Sequence, residues 1–331
     1  MKPLKEWITL PFETRPKRIM FRVDAGRILN LSFGHISRCL ILSKELRSIF
    51  DSSHLFLMRN YKEGTNYAKQ AGENVKVLPK QNEKAYILKV AYEFKPDCII
   101  VDLPTMNNDM EVFLKLKNQG INFFFIDDVR FQNPGANIYL NSNILAEKKI
   151  KRTNTDQTHY FLGPQFFIFD NTLIEKGTPF SKDKIFKVVL SFGGSDPTDL
   201  MLKVIKVLVN LDNIKAKYYA IIGPGYPNEK NIKNIVDEHE GFYLIKNPKN
   251  IIPYFQGCDF VICAGGRTIY ELLYLEKNFM PIATAEHELK IIKELMDINI
   301  VDFGIDKWFS EIFIENMERV YNNWIQKMNI G

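Results

Sequence analysis

The chain has 331 residues, 46% of them hydrophobic, and a net charge of +5 at neutral pH. This length can bury substantial cores and favours two domains over one. The positive charges are spread along the chain without a run of five or more, so a solvated basic surface explains them better than a nucleic-acid tract, and the same field suits an anionic substrate.

The chain begins without an apolar signal core and contains no run of 18 apolar residues, which predicts a cytoplasmic protein without a membrane span. Its cysteines, Cys39, Cys98, Cys258 and Cys263, lie in apolar surroundings and form no CxxC pair with partnering histidines. We therefore expect buried reduced thiols, and neither zinc nor a disulfide framework. No metal, cofactor or nucleic-acid partner is expected, and the chain is predicted to be a monomer or a weak homo-oligomer.

Short apolar runs alternate with helical periods along most of the chain. Residues 1–17 are predicted to form an irregular leader. From residue 18 onward, helical segments separate the strand-like runs RIMFRV, SHLFLM, NVKV, DCIIVD and NFFFID, and the runs ANIYLN and HYFL follow them. Apolar strands separated by helices are typical of a parallel sheet that is covered on both faces. The pattern predicts a first domain over residues 18–170.

The alternation restarts after a segment rich in turn residues and charges, residues 171–185, which we interpret as a linker. The runs FKVVLS, AKYYAII, FYLIK, DFVICA and FMPI predict a second domain over residues 186–305. The remaining residues, 306–331, hold one more amphipathic helix. The chain is thus predicted to be an α/β protein with two Rossmann-like doubly wound domains that face a cleft, where ligands bind at the carboxyl ends of the strands.

Glycine loops follow strands in the second domain. In LSFGGSDPTD, Gly193 and Gly194 permit a tight turn, and Ser195 or Asp196 can cap the next helix. The loop IIGPGYPN, which contains Gly223, adds a rigid rim at the same edge of the sheet. A tight turn without any ligand is the commoner explanation of two adjacent glycines. The LSFGGSDPTD loop and a second glycine loop, CAGGRTIYE, both lie at strand ends of one domain, however, and this shared position favours an anion site.

The segment CAGGRTIYE is the second glycine loop that opens a helix. Backbone N–H groups and the positive end of a helix dipole bind anions, and an arginine or a hydroxyl strengthens such a site. The predicted nucleotide-binding residues here are Ala264, Gly265, Gly266, Arg267, Thr268 and Glu271. Ile251, in NPKNIIPYF, is a candidate to clamp a base, although ordinary helix packing is an equally good interpretation. Neither GxGxxG in the first βα turn nor GK[ST] occurs, so the pattern is neither the dinucleotide fingerprint nor a P-loop.

His35 follows a glycine in LSFGHISRCL and stands at the start of an amphipathic helix. An imidazole exchanges a proton near neutral pH, and the positive end of a helix favours its neutral form, which can act as a base. A histidine that only bonds to the backbone at a helix start is the alternative. The residues alone leave these two roles open.

Six motifs, in order, resemble one family. They are DAG…FGHISRCL, FIDDV, NSN, LGPQF, LSFGGSDPTD and AGGRTIYELL. Over residues 18–305 the chain resembles the UDP-2,4-diacetamido-2,4,6-trideoxy-β-L-altropyranose hydrolases of pseudaminic acid biosynthesis and their spore-coat-polysaccharide relatives. Those proteins are similar in fold to the two-domain glycosyltransferase that makes lipid II, of GT-B type. In that fold the final helix crosses back, so the resemblance implies that the helix over 308–328 packs on the first domain.

The resemblance implies that His35 is catalytic and that Ala264 to Glu271 bind UDP. It also implies a sugar side formed by Asp24, Gly34, Arg38, Asp102, Asp127, Asp128, His287 and Glu288. The sequence departs from the family pattern on that side, at Ser32, Pro104, Phe166, Asp170, His287 and Glu288.

These observations predict a metal-independent UDP-sugar hydrolase, in which His35 activates water to attack the anomeric carbon. A glycosyltransferase that uses the same cleft with a hydroxyl acceptor is the alternative. A non-catalytic nucleotide-sugar binding protein is the second alternative.

Overall fold

The structure, a computed structural model, describes residues 4–26, 31, 33–104, 110–152, 157–169, 177–181, 183–194, 196, 198–284, 286–295 and 310–330. The chain divides into two compact units, Met1–Asp170 and Asn171–Gly331. Each unit is built on one sheet whose described strands are all parallel.

The first unit contains a seven-stranded sheet in the order β3-β2-β1-β4-β5-β6-β7. Its strands are β1 Arg18–Val23, β2 Ser53–Met58, β3 Val75–Val77, β4 Cys98–Asp102, β5 Asn122–Asp127, β6 Ile138–Asn141 and β7 His159–Leu162. Its helices are α1 Leu4–Trp7, α2 Gly34–Phe50, α3 Lys62–Gln70, α4 Glu83–Phe94, α5 Met110–Lys117 and α6 Ala146–Lys149, with a 3₁₀ turn at Pro164–Phe166. The strand order reverses between β1 and β4, where such sheets bind their ligands.

The second unit contains a five-stranded sheet in the order β10-β9-β8-β11-β12. Its strands are β8 Phe186–Ser191, β9 Ala216–Ile222, β10 Phe242–Lys246, β11 Phe260–Ala264 and β12 Phe279–Ile282. Its helices are α7 Leu200–Leu208, α8 Glu229–Glu238, α9 Ile252–Gly257, α10 Thr268–Tyr274, α11 Glu286–Leu295 and α12 Ser310–Ile330. The order reverses between β8 and β11. The predicted parallel sheets are therefore confirmed.

Strand β5 shows why near-continuous apolar runs form these sheets. Phe124 and Ile126 belong to the core on one face of the sheet, whereas Phe123 and Phe125 belong to the core on the other face. All four side chains are at most 1% exposed. A strand that buries both faces needs apolar residues at successive positions, because successive side chains point in opposite directions.

The N-terminal segment differs from its prediction. Residues 4–7 form a short helix, and Trp7 and Ile8 are buried in the core of the first unit. The Trp7 ring packs against Phe161, with 4.8 Å between ring centroids. The prediction of an irregular leader was wrong, because its two large apolar side chains complete the core of this domain.

Helix α12 also differs from its prediction. Phe313 and Met317 are fully buried in the core of the second unit. Trp324 packs on Phe186 of β8, with ring centroids 5.2 Å apart. The prediction that this apolar face packs on the first domain was wrong. An apolar stripe specifies that a helix is covered, but the stripe alone does not specify by which domain.

Part of the predicted linker packs on the second unit. Among its described residues, Gly177 donates its N–H to Gln256 Oε1 at 3.1 Å, and the Phe180 ring lies 4.3 Å from that of Tyr219. These contacts attach the end of the segment to α9 and β9. Its first residues lie outside the described part of the chain.

All four cysteines are buried, as predicted. None of the described helices has both the length and the apolar character that a membrane crossing requires.

His54 lies in a buried polar cluster of the first unit. Ser43 donates its hydroxyl hydrogen to Glu73, so it accepts from His54 Nδ1 at 2.6 Å, and Ser52 lies 2.7 Å from Nε2. Burial, with a smaller contribution from the charge of Arg47, lowers the pKa of His54 from 6.5 to about 4. The folded protein therefore holds the ring neutral at a pH where the unfolded chain protonates it.

We expect this single group to lower the free energy of unfolding by about 2 kcal/mol between pH 7.5 and pH 5. The sign follows from the lowered pKa, because the unfolded state takes up the proton first as the pH falls. Urea unfolding at both pH values should show this loss, and His54→Asn should remove it. An unchanged pH dependence in the variant would contradict the assignment.

Candidate active site

His35 lies at the switch point of the first sheet. Strand β1 ends at Val23, helix α2 begins at Gly34, and the neighbouring strand β4 ends at Asp102. His35 thus stands in the first turn of α2, as predicted. The strand order brings the carboxylate of Asp102 to the same edge.

His35 and Asp102 form a hydrogen-bonded pair. Nδ1 of His35 is 2.7 Å from Oδ1 of Asp102, and the Asp102 side chain is fully buried. An ionised carboxylate can only accept, so Nδ1 carries the hydrogen and donates it. In the neutral form of the ring, Nε2 is then the nitrogen that lacks a hydrogen and can accept one. The His35 side chain is 15% exposed, so it is mostly enclosed yet reaches solvent.

Arg38 lies one turn further along α2 and binds two carboxylates. Its Nη2 donates to Asp102 Oδ1 at 2.6 Å and its Nε donates to Oδ2, while Nη1 donates to Asp128 at 2.6 Å. Nη2 also lies 3.2 Å from Nδ1 of His35. Both of these nitrogens carry hydrogen, so this approach is not a hydrogen bond. One guanidinium therefore fixes Asp102 beside His35 and also holds Asp128.

The charges of this cluster control its protonation. Burial alone would raise the pKa of Asp102, but the charge and hydrogen bonds of Arg38, together with the hydrogen bond from His35, outweigh it and hold the pKa well below its usual range. The pKa of Asp128 is also lowered, because Arg38 again outweighs burial. Desolvation opposes the charge on Arg38, yet the two carboxylates raise its pKa. The cluster thus faces His35 with two ionised carboxylates and one guanidinium, a net charge of −1.

Asp127 organises the loop that carries Asp128. Its Oδ1 accepts from the backbone N–H groups of residues 128–130 at 2.8–3.3 Å, and its Oδ2 accepts from the N–H of Phe131 at 2.8 Å. The hydroxyl of Tyr139 donates to Oδ2 at 2.6 Å. Asn143, from the NSN motif, donates to the Asp128 carbonyl at 3.0 Å. The Asp127 carboxylate therefore positions the loop over residues 128–131.

Asp24 forms an ion pair with Arg22, which lies two residues before it. Arg22, fully buried on β1, donates from Nη2 to Asp24 Oδ2 at 2.9 Å, and the backbone N–H of Arg59 donates to Oδ1 at 2.7 Å. Of the sugar-side candidates in this unit, the structure therefore brings Gly34, Arg38, Asp102 and Asp128 together with His35. Sugar contacts by Asp24 and Asp127 stay predictions.

Two glycine loops of the second unit touch each other. A side chain at Gly223 would place its Cβ 2.5 Å from the Cα of Gly194, so this approach requires glycine. The N–H of Gly225 donates to the Gly194 carbonyl at 2.8 Å. Asp199 also joins the two loops, because it accepts from the Tyr226 hydroxyl and from Asn228.

Asp196, one of the two residues predicted as caps, caps α7. Its carboxylate accepts from the N–H groups of Leu200 and Met201 at 2.9 and 2.8 Å. Burial raises its pKa to about 6, against the opposing effect of these bonds. These two N–H groups are thus already hydrogen-bonded to Asp196. Gly193 adopts φ of +83°, which favours glycine, and Ser195 lies outside the described residues.

The AGGRT loop is held between β12 and α11. The N–H of Gly265 donates to the Ile282 carbonyl at 2.9 Å, so this group extends the sheet. A Cβ at Gly265 would lie 2.7 Å from the Cβ of Glu288. Glu288 accepts from both the N–H and the hydroxyl of Thr284 at 2.6 Å. Glu288, predicted on the sugar side, therefore lies directly against the loop predicted to bind the nucleotide.

Helix α10 begins at Thr268 and presents Glu271 one turn later. Burial raises the pKa of Glu271, and the charge of Arg267 opposes that shift. Ile251 is half-buried and directly precedes α9. His287 belongs to α11, but its side chain lies outside the described part of the structure, as do Ser32 and Asp170.

The sequence indicated Asp102 and Arg38 but not their roles. Both were predicted to contact a sugar, whereas the structure pairs them with His35 and with Asp128. The strand order could have given the first pairing, because β4 is the neighbour of β1 in the classic Rossmann order 3-2-1-4. Asn143 had no assigned role. Among the described residues, no cluster of three or more His, Cys, Asp or Glu side chains could hold a metal ion.

Two curated relatives are similar to this chain in sequence. The uncharacterized protein MJ1062 of Methanocaldococcus jannaschii is 26% identical over 256 residues, which is 75% of this chain and 52% of that protein. The chain therefore spans about half the length of that relative. The spore coat polysaccharide biosynthesis protein SpsG of Bacillus subtilis is 19% identical over 77% of this chain and 76% of its own length. No family model matches the chain.

Solved structures with low sequence identity share the architecture. Acinetobacter baumannii MurG has a TM-score of 0.61 at 11% identity, over 93% of each chain. The fold is of the GT-B type. The UDP-GlcNAc 2-epimerase of Neisseria meningitidis, bound to UDP-GlcNAc, has a TM-score of 0.59 at 11% identity over 94% of each chain. Anabaena HepE, in complex with UDP-glucose, has a TM-score of 0.50 at 14% identity, over 95% of this chain and all of its own. The chain thus shares its fold with these proteins and is distantly similar in sequence to SpsG.

Proposed function

We propose that this protein is a UDP-sugar hydrolase in which His35 is the general base. The observation that carries the proposal is the hydrogen bond of 2.7 Å from His35 Nδ1 to the buried Asp102. It leaves Nε2 as the proton acceptor, on a side chain that reaches solvent. A histidine oriented by a carboxylate in this way can take a proton and hold it as an imidazolium.

The comparisons support a UDP-sugar as the substrate. The epimerase and HepE structures of the same fold hold UDP-GlcNAc and UDP-glucose. A further HepE structure, with a TM-score of 0.50, holds UDP and glucose together. The fold thus accommodates a UDP-sugar as well as the two fragments that hydrolysis would yield. We further propose that the sugar is of the pseudaminic acid type or belongs to a surface polysaccharide, as the likeness to SpsG favours.

In the proposed reaction, the water oxygen attacks the anomeric carbon while its proton passes to His35 Nε2. The bond from the anomeric carbon to the diphosphate oxygen breaks, and UDP leaves with the electron pair. The net charge of −1 on Arg38, Asp102 and Asp128 stabilises the imidazolium that forms. Backbone groups of the AGGRT loop, with Arg267 and Thr268, are proposed to hold the departing diphosphate.

A glycosyltransferase is the second candidate. Nε2 of His35 would then take the proton of an acceptor hydroxyl, and the other steps stay the same. The likeness to MurG and to the kitacinnamycin glycotransferase, with a TM-score of 0.58 at 13% identity, favours this candidate.

Incubation of the purified protein with a panel of UDP- and CMP-sugars separates these functions. Free sugar released without an acceptor supports the hydrolase. Turnover that requires a hydroxyl acceptor supports the transferase. Saturable binding without turnover under either condition would contradict both, and would leave a nucleotide-sugar binding protein.

We expect Thr268→Ala and Glu271→Gln each to weaken UDP binding about 10- to 100-fold, because each removes a hydrogen bond that involves a charged group. Calorimetry with UDP measures the effect. Glu240→Gln, at an exposed carboxylate of the same unit, is the matched control and should bind like the wild type. Wild-type affinity in both site variants would place the nucleotide elsewhere.

A further inference from the structure

A cavity of about 550 Å³ lies in the first unit, apart from the His35 cluster. It is bordered by the loop after β5, the end of α6 and the start of β7. Its volume is within the range of small-molecule sites. None of the residues in the His35 cluster lines it, so it requires an explanation of its own.

The lining of this cavity is strongly basic. Lys117, Arg130, Lys149 and Lys151 all border it, and none of its lining residues is acidic. Lys149 and Lys151 form no ion pair with any described residue. Arg130 is paired with Asp127, so the lysines supply most of the uncompensated charge. Several positive charges around one concavity attract multiply charged anions, because low-dielectric walls concentrate their field.

Arg130 has a donor that lacks a partner. Its Nε donates to Asp127 at 3.1 Å and its Nη2 to the Leu103 carbonyl at 2.8 Å. Its buried Nη1 has no hydrogen-bond partner in the described part of the chain. The guanidinium also lies 5.2 Å from the centroid of the Phe125 ring, so Asp127, Leu103 and Phe125 together fix Arg130 at the wall of the cavity.

Hydrogen bonds hold the polar groups that line the cavity in fixed positions. Asn133 accepts from the N–H groups of Gly135 and Ala136 at 3.0 and 2.8 Å, and its amide donates to the hydroxyls of Thr158 and Tyr160 at 3.0 and 3.3 Å. These groups satisfy one another across three segments. The polar floor therefore keeps its shape, and the cations around it supply the charges available to a ligand.

The aromatic rings at this site are already covered. Lys149 Nζ lies 4.6 Å from the centroid of Phe131, and the guanidinium of Arg152 lies 5.4 Å from that of Tyr160. Ring faces that hold cations are not open for stacking on a base or a sugar. Recognition here rests on charge, which favours a compact anion over a nucleobase.

We propose that this cavity binds a small anion with two or more phosphate groups. Phosphate groups carry the highest charge density among common small-molecule anions, which matches four cations in one concavity. The site is independent of the nucleotide loops in the second unit. Its occupant is recognised by the diphosphate itself, whether inorganic or attached to a nucleoside.

Calorimetry with inorganic pyrophosphate tests the proposal at low salt, where such contacts are strongest. Because pyrophosphate can also enter the nucleotide loops, the measurement uses the Thr268→Ala protein as background. In that background, Lys149→Gln combined with Lys151→Gln should weaken pyrophosphate binding at least about tenfold. Lys148→Gln, exposed on α6 but outside the lining, is the matched control and should bind normally.

Circular dichroism first establishes that each variant is folded. Equal pyrophosphate affinity in the double variant and the Lys148→Gln control would overturn the proposal, as would the absence of saturable binding in the Thr268→Ala background. Titration with UDP and ADP then distinguishes the source of the diphosphate. Both titrations compare the Thr268→Ala protein with the same protein carrying Lys149→Gln and Lys151→Gln. An equal loss of UDP and ADP affinity on adding the two lysine changes supports recognition of the diphosphate alone, whereas a loss for only one nucleotide would contradict it.

Discussion

His35→Asn should lower turnover about 10²- to 10⁴-fold, the usual contribution of a general base. Asparagine retains an N–H that can donate to Asp102, but it has no nitrogen that accepts a proton at neutral pH. UDP affinity should change little, because the proposed nucleotide loops belong to the other unit. Steady-state kinetics, together with calorimetry on UDP, measures both quantities.

His159→Asn is the matched control for this prediction. His159 begins β7 in the same unit, and its side chain is exposed. The His159→Asn variant should retain wild-type turnover. Substantial residual activity in His35→Asn, at the level of this control, would remove His35 from its role as the base.

Arg38→Gln should lower the free energy of unfolding by about 3–5 kcal/mol at neutral pH. Loss of one partner from a buried ion pair leaves an uncompensated charge, and Asp102 is fully buried here. Turnover should fall as well, because Asp102 is then no longer fixed beside His35. Urea unfolding of the wild type and the variant measures the difference.

The same experiment has a signature in its pH dependence. Arg38 lowers the pKa of Asp102 and of Asp128. A lowered carboxylate pKa supplies stability that is present above the usual pKa and lost as the pH falls and the group protonates. The free energy of unfolding of the wild type should therefore exceed that of Arg38→Gln by less at acidic pH than at neutral pH.

Lys89→Gln provides the comparison for an exposed ion pair. Lys89 lies 3.9 Å from Glu93 on α4, and both side chains are well exposed, at 68% and 45%. Its loss should leave the free energy of unfolding nearly unchanged, because water and salt screen the charges of an exposed pair. An Arg38→Gln protein as stable as Lys89→Gln would contradict the view that the Arg38 cluster is a buried ionic network.

Local patterns in the sequence were sufficient for most of the fold. Runs such as NFFFID specify strands that are buried on both faces, and the helical periods between them specify the crossovers of a parallel sheet. His35 at a helix start and Asp196 as a cap were also predictable, since each depends on its neighbours within a few residues. The loops at the strand ends followed from the same pattern.

Contacts between distant segments were decided only by the tertiary structure. Asp102 is 67 residues from His35, and Asp128 is 90 residues from Arg38, so no local spacing reveals that one guanidinium joins them. The covering of Phe186 by α12, and the burial of Trp7, likewise depend on which apolar surface is left open once the sheets have formed. The sequence by itself therefore determined the elements, because periodicity and capping act over a few residues. Packing decided which of them meet, because burial and charge pairing depend on distance in space rather than along the chain.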